Sequence, residues 1–205
     1  MVLTILVVAI SCQSSQVANP SPLPSPTPNA ALASIVLTAA DLPSQLARCS
    51  SSGPLSAYIT ALQPADPALA QSIASQWLAL QKAGAREAAI SLFTSDARAC
   101  NTELAASGTI KAAASLVVEF GDEGQADRAW QAGMFGFIPP APGETPPGVA
   151  RGTATGLGAS AWTYRRAPVQ LASWRRSVFV ALVVLTNLDA ATFAAATAAV
   201  DARLH

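Results

Sequence analysis

The sequence predicts an α+β domain: a mostly antiparallel sheet of about five strands covered on one face by about three helices, behind a disordered N-terminal linker. Three observations carry this expectation. Two separate stretches run an apolar strand into a tight polar turn and then into a helix. A strong helix start lies at residues 64–67, where Asp66 can cap and Pro67 can take the first helical position. The remaining apolar runs are short and closely connected, which favours antiparallel pairing.

In chain order, residues 1–10 form a short apolar core that ends in Ala9, Ile10, Ser11 and Cys12. This resembles a bacterial lipoprotein signal, in which small residues precede a Cys that is lipidated and becomes the mature N-terminus. No Lys or Arg precedes the apolar core, where a positive stretch is usual. An ordinary secretory signal and a buried strand at the true N-terminus are the alternatives. Residues 13–31 then carry Pro20, Pro22, Pro24, Pro26 and Pro28 among Ser, Thr, Leu and Asn. Alternating Pro removes amide donors and locks φ, so this stretch can form neither a helix nor a central strand. It reads as an extended spacer of up to ~3.1 Å per residue that lifts a domain clear of a membrane. The expected organisation is a signal peptide at 1–11, a lipidated Cys and tether at 12–34, and one extracytoplasmic domain at 35–205.

Within that domain, Leu69, Ile73, Trp77 and Leu80 follow Asp66 at helical spacing, and Gly84 is a natural stop. Residues 86–94 read as a strand or as a continuation of that helix. Residues 109–120 become strand-like from Ser115 and run through a capping arrangement at Asp122 into a helix bearing Ala126, Ala129, Trp130 and Met134. Residues 161–166 and 169–174 read as two strands joined by a hairpin at Ala167 and Pro168. Residues 178–185 form an unbroken apolar strand, which turns at Asn187 and Asp189 into a helix bearing Phe193, Thr197, Val200 and Leu204.

Composition narrows the function. The formal net charge is zero and only 12% of residues are charged, about half the usual ~25%. Nucleic-acid binding needs a basic footprint to displace counterions, and none is present. The apolar share is 51%, but much of it is Ala, which supplies helix propensity more than burial energy. Cysteine arithmetic agrees with export. With Cys12 lipidated, Cys49 and Cys100 remain, and an even remainder in an exported protein reads as a disulfide. Two buried free thiols are the rival reading if the chain is not exported.

Three short stretches carry a family resemblance: Leu37, Thr38, Asp41 and Pro43; Gly156 and Gly158 before an aromatic strand; and Trp174, Arg175, Arg176 and Phe179 leading into the last strand. Together they resemble a loose group of bacterial envelope lipoproteins and the extracellular sensor domains of some bacterial kinases. The resemblance implies an α+β domain outside the cell membrane, without enzymology and with poorly defined ligands. It carries no functional residues over to this chain.

No catalytic motif can be assembled. The one His is His205, the last residue, which removes His-based acid–base chemistry and any Ser-His-Asp arrangement. Residues 156–161 match GxGxxA, but a strand follows where dinucleotide binding needs a helix, so a turn using flexible glycines is expected. Asp122, Glu123 and Asp189 sit at helix starts, where capping accounts for them. A non-enzyme with no cofactor and no metal is expected.

Two features point to binding. Residues 133–152 are rich in Gly and Pro and place Met134, Phe135, Phe137 and Ile138 in one cluster. The segment is either an adaptable lid or core packing followed by a free loop. Arg165, Arg166, Arg175 and Arg176 flank the expected hairpin. Alternation lets about half of them, with Arg166 and Arg176 as candidates, face a phosphate or carboxylate from one side. The alternative is a solvated face protecting a sheet edge.

The expected function is a non-enzymatic envelope lipoprotein, anchored at the outer face of the inner (cell) membrane, that binds a small, partly apolar or anionic ligand between helices and sheet. The alternative is a protein-interaction or sensor module with no internal pocket, meeting another envelope protein.

Overall fold

The computed structural model describes residues 30–101, 109–144 and 146–204. The expected signal peptide, Cys12 and the tether as far as residue 29 lie outside the described residues. Five α-helices are described: α1 (Ala30–Ile35), α2 (Leu55–Leu62), α3 (Pro67–Lys82), α4 (Glu123–Ala132) and α5 (Ala190–Asp201). Eight strands join one sheet: β1 (Ala47–Arg48), β2 (Gly53–Pro54), β3 (Ala85–Thr94), β4 (Ala112–Phe120), β5 (Val149–Arg151), β6 (Ala161–Arg166), β7 (Val169–Arg176) and β8 (Phe179–Thr186).

All pairings are antiparallel, in the order β1-β3-β4-β8-β7-β6-β5, with β2 also beside β3. The long strands β3, β4, β6, β7 and β8 are the five that the sequence predicts, and β3 resolves the choice between strand and continued helix. The count of about five falls short because β1, β2 and β5 have only two or three residues each, too few to show a period. The count of about three helices misses α1 and α2. Leu32 in α1 is almost fully buried, as part of the first of the two cores described below.

The expectation of helices on one face is also corrected. Two apolar cores lie on opposite faces of the sheet. One joins Ala113, Val117, Trp174 and Val183 to α1 and α5. The other joins Leu92, Leu116, Val118 and Leu182 to α2, α3 and α4. The run of β8 explains this. Alternate side chains Ala181, Val183 and Leu185 enter the first core, while Val180 and Leu182 enter the second. A continuous apolar strand is one covered on both faces.

Local chemistry sets the element ends. Asp66, Asp122 and Asp189 each accept a hydrogen bond from the backbone N–H three residues on, at 2.9, 2.8 and 2.7 Å. These carboxylates are helix caps, as their positions predict. Arg166 pairs with Val169 across the turn at Ala167 and Pro168. Gly156 and Gly158 both take positive φ, which only glycine adopts without strain; GxGxxA here is a turn before a strand. Cys49 and Cys100 are joined as a disulfide, with Cα atoms 5.5 Å apart.

Candidate functional site

The second core is incompletely filled. On α3, Leu69, Ile73 and Trp77 form the apolar stripe that periodicity predicts, yet all three are only half-buried; Ala70 and Leu80 are the buried residues of that helix. Beneath α3 lies a cleft of about 500 Å³, within the ~300–1,000 Å³ typical of small-molecule sites. Its floor is the sheet, through Leu92, Leu116 and Leu182; its roof is α2 and α3, through Tyr58 and Ile73; Phe135 and Phe137 close one side. No lining residue carries a formal charge. Burial pushes the Tyr58 phenol above its ordinary value, and its hydroxyl is a group that can donate or accept a hydrogen bond.

The wall formed by Phe135 and Phe137 has an unusual backbone. Phe137 N–H donates to the Met134 carbonyl at 2.9 Å, and Phe135 and Gly136 both have positive φ, +50° and +82°. Positive φ at both central residues defines a type I′ turn, which favours Asn, Asp and Gly. A bulky aromatic there is an outlier, with a cost on the order of 1–3 kcal/mol. Gly133 makes the close approach possible: a Cβ on it would stand 2.8 Å from Ile138 Cα. Such strained positions concentrate at ligand clamps and switch regions.

The same turn borders a second cleft, of about 760 Å³, between the C-terminal end of α3 and α4. Phe135 and Gln76 line both clefts. The four apolar residues of the expected cluster therefore divide. Met134 is core, 4% exposed, and Ile138 stands 66% exposed at the second cleft. Phe137 lines the first cleft and Phe135 lines both.

The arginines do not converge. Arg166 lies opposite Val169 at the start of β7, whereas Arg176 ends that strand, about 23 Å away at strand rise. Arg176 donates to both carboxylate oxygens of Asp201, at 2.8 and 2.7 Å, and Trp174 Nε1 shares that carboxylate at 2.9 Å. Arg175 lies on the opposite face beside Asp127 of α4, at 3.2 Å. Arg165 stacks over Phe193, 5.2 Å from the ring centroid. Hairpin register decides this: the turn after β6 and the turn after β7 are at opposite ends of the sheet.

Sequence reasoning missed the roof and floor of the apolar cleft. Leu55, Tyr58 and Leu62 of α2 do have helical spacing, which is a usable signal. The floor residues Ile90 and Val184 look like ordinary core in sequence. Among the described residues no group of His, Cys, Asp and Glu could hold a metal ion, and no helix is long and apolar enough to cross a membrane. Compared with family models, with curated proteins and with solved structures, the chain matches none.

Proposed function

We propose that this chain is a non-enzymatic, lipid-anchored binding protein of the bacterial envelope that holds a small, largely apolar ligand between α2, α3 and the sheet. The observation that carries the reading is the uncharged cleft of about 500 Å³ walled by Phe135 and Phe137. A folded domain fills such space unless it has a use, because unfilled apolar volume forfeits packing contacts. Exposed apolar surface offers less support for a flat interaction module: Leu78 and Ile138 are the two large apolar side chains exposed among the described residues.

The test is titration of the full chain with the neutral fluorophore N-phenyl-1-naphthylamine. Saturable binding is expected, and Ile73→Trp, which projects bulk into the cleft from its roof, should abolish it without lowering the melting temperature. Absence of binding, or an unaffected Ile73→Trp variant, would remove the reading. The anchor rests on the lipoprotein-like signal and the Pro-rich tether. Cys12→Ser is expected to move the protein from membranes to the soluble fraction of its host. Unchanged membrane association would defeat lipidation at Cys12.

A further inference from the structure

Taken together, the two clefts have a polarity. The first has no charged lining residue. The second has two, Lys82 and Arg128, both cationic, and no carboxylate. Neither side chain is in an ion pair among the described residues. The clefts meet at Phe135 and Gln76, which line both. An apolar chain lying in the first cleft would therefore leave it past an aromatic ring and a side-chain amide, toward two unpaired cations.

From this we infer that the ligand is a single-chain amphiphile with an anionic head: hydrocarbon under α3, carboxylate or phosphate beside Lys82 and Arg128. The inference rests on the first cleft being a ligand site and adds the chemical class of the ligand. The arrangement suits both halves of such a molecule. A charged head cannot be left unpaired in an apolar cleft, whereas an Arg guanidinium offers forked donors matched to carboxylate or phosphate oxygens. Gln76, at the junction, can donate to the head or to the first polar atom of the chain. A purely anionic small molecule would gain nothing from the first cleft, and a cationic amphiphile would meet like charge in the second.

The experiment compares decanoate with decan-1-ol, which share a chain and differ in head charge, by calorimetric titration of the full protein at neutral pH. Wild type is expected to prefer decanoate by about tenfold, as charge-assisted bonds to an exposed guanidinium allow. Added salt should narrow that preference, because the cations are solvent-accessible. The double variant K82Q/R128Q, altered at two exposed side chains, should lose the preference and bind the two compounds equally. Equal binding by wild type, or a preference that survives the double variant, overturns this inference and leaves the apolar cleft standing. Binding of neither compound removes the cleft as a ligand site, and the inference with it.

Discussion

Phe135, Phe137 and Met134 are neighbours in sequence, yet they do different work. Met134 is packed in the core, whereas Phe137 is half-buried against open space. Full burial of such a side chain is worth about 1.5–3 kcal/mol, and truncation in a closed core adds the cost of a cavity. Phe137 borders a cleft that is already open, so Phe137→Ala is expected to cost about 1 kcal/mol. Phe193→Ala, at a site with no exposure, should cost about 3–5 kcal/mol. Urea denaturation measures both, and a loss of 3 kcal/mol or more at Phe137 would place it in the core. Phe135→Gly should leave stability unchanged or raised, since glycine relieves the positive φ, while weakening capture of N-phenyl-1-naphthylamine. A matching loss of stability would show that the ring is needed for folding.

Among the elements, β1 and β2 depend most on their surroundings. Two residues each give them little pairing of their own, yet β2 leads directly into α2, the roof of the cleft. The edge is held from β3: Cys49 N–H donates to the Leu92 carbonyl at 2.8 Å, and Ser52 Oγ accepts from Leu92 N–H at 3.0 Å. The Cys49–Cys100 disulfide closes a sequence separation of 51 residues around it. In the chain-entropy view such a closure stabilises the fold by about 4 kcal/mol. Replacing both Cys by Ser is expected to lower stability by about that amount and to raise hydrogen exchange first in residues 47–62, with probe affinity falling in parallel. Uniform acceleration of exchange across β7 and β8 would mean that the bridge supports the whole fold equally.

At the scale of the whole molecule, the two ends of the described chain are locked together. Arg203, just past α5, donates to the Asp41 carboxylate and to the Val36 carbonyl, the latter at 3.2 Å. Burial opposes ionisation of Asp41, but hydrogen bonds from Arg203 and from the Thr38 N–H and hydroxyl outweigh it and hold the carboxyl below its ordinary 3.8. A carboxyl with a depressed folded-state value adds stability that is complete above the unfolded value and is lost as pH falls through the folded one. The contribution of Asp41 is therefore constant at neutral pH and disappears only in acid, below about pH 4. Asp41→Asn should be less stable than wild type at pH 7, and the gap should close toward pH 2. A gap that persists at pH 2 would show that the pair acts through packing alone.

How much of this was legible depends on how local each cause is. The caps at Asp66, Asp122 and Asp189 and the helices that follow them rest on contacts within a few residues, so the sequence by itself determines them, and apolar runs mark β4, β6, β7 and β8; β3 was left between strand and helix until its pairing with β4 decided it. The pairing of Cys49 with Cys100 followed from counting once export was assumed. Coverage of both faces was written in the unbroken apolar run of β8. Tertiary structure alone decided the rest. The arginines separated because hairpin register sends successive turns to opposite ends of a sheet. The cleft lies between α3 and the sheet, and no single residue of Leu69, Ile73, Ile90 or Val184 differs in sequence from one that packs tightly. A void is a property of how far apart two surfaces rest, and that distance is set by every contact around its rim.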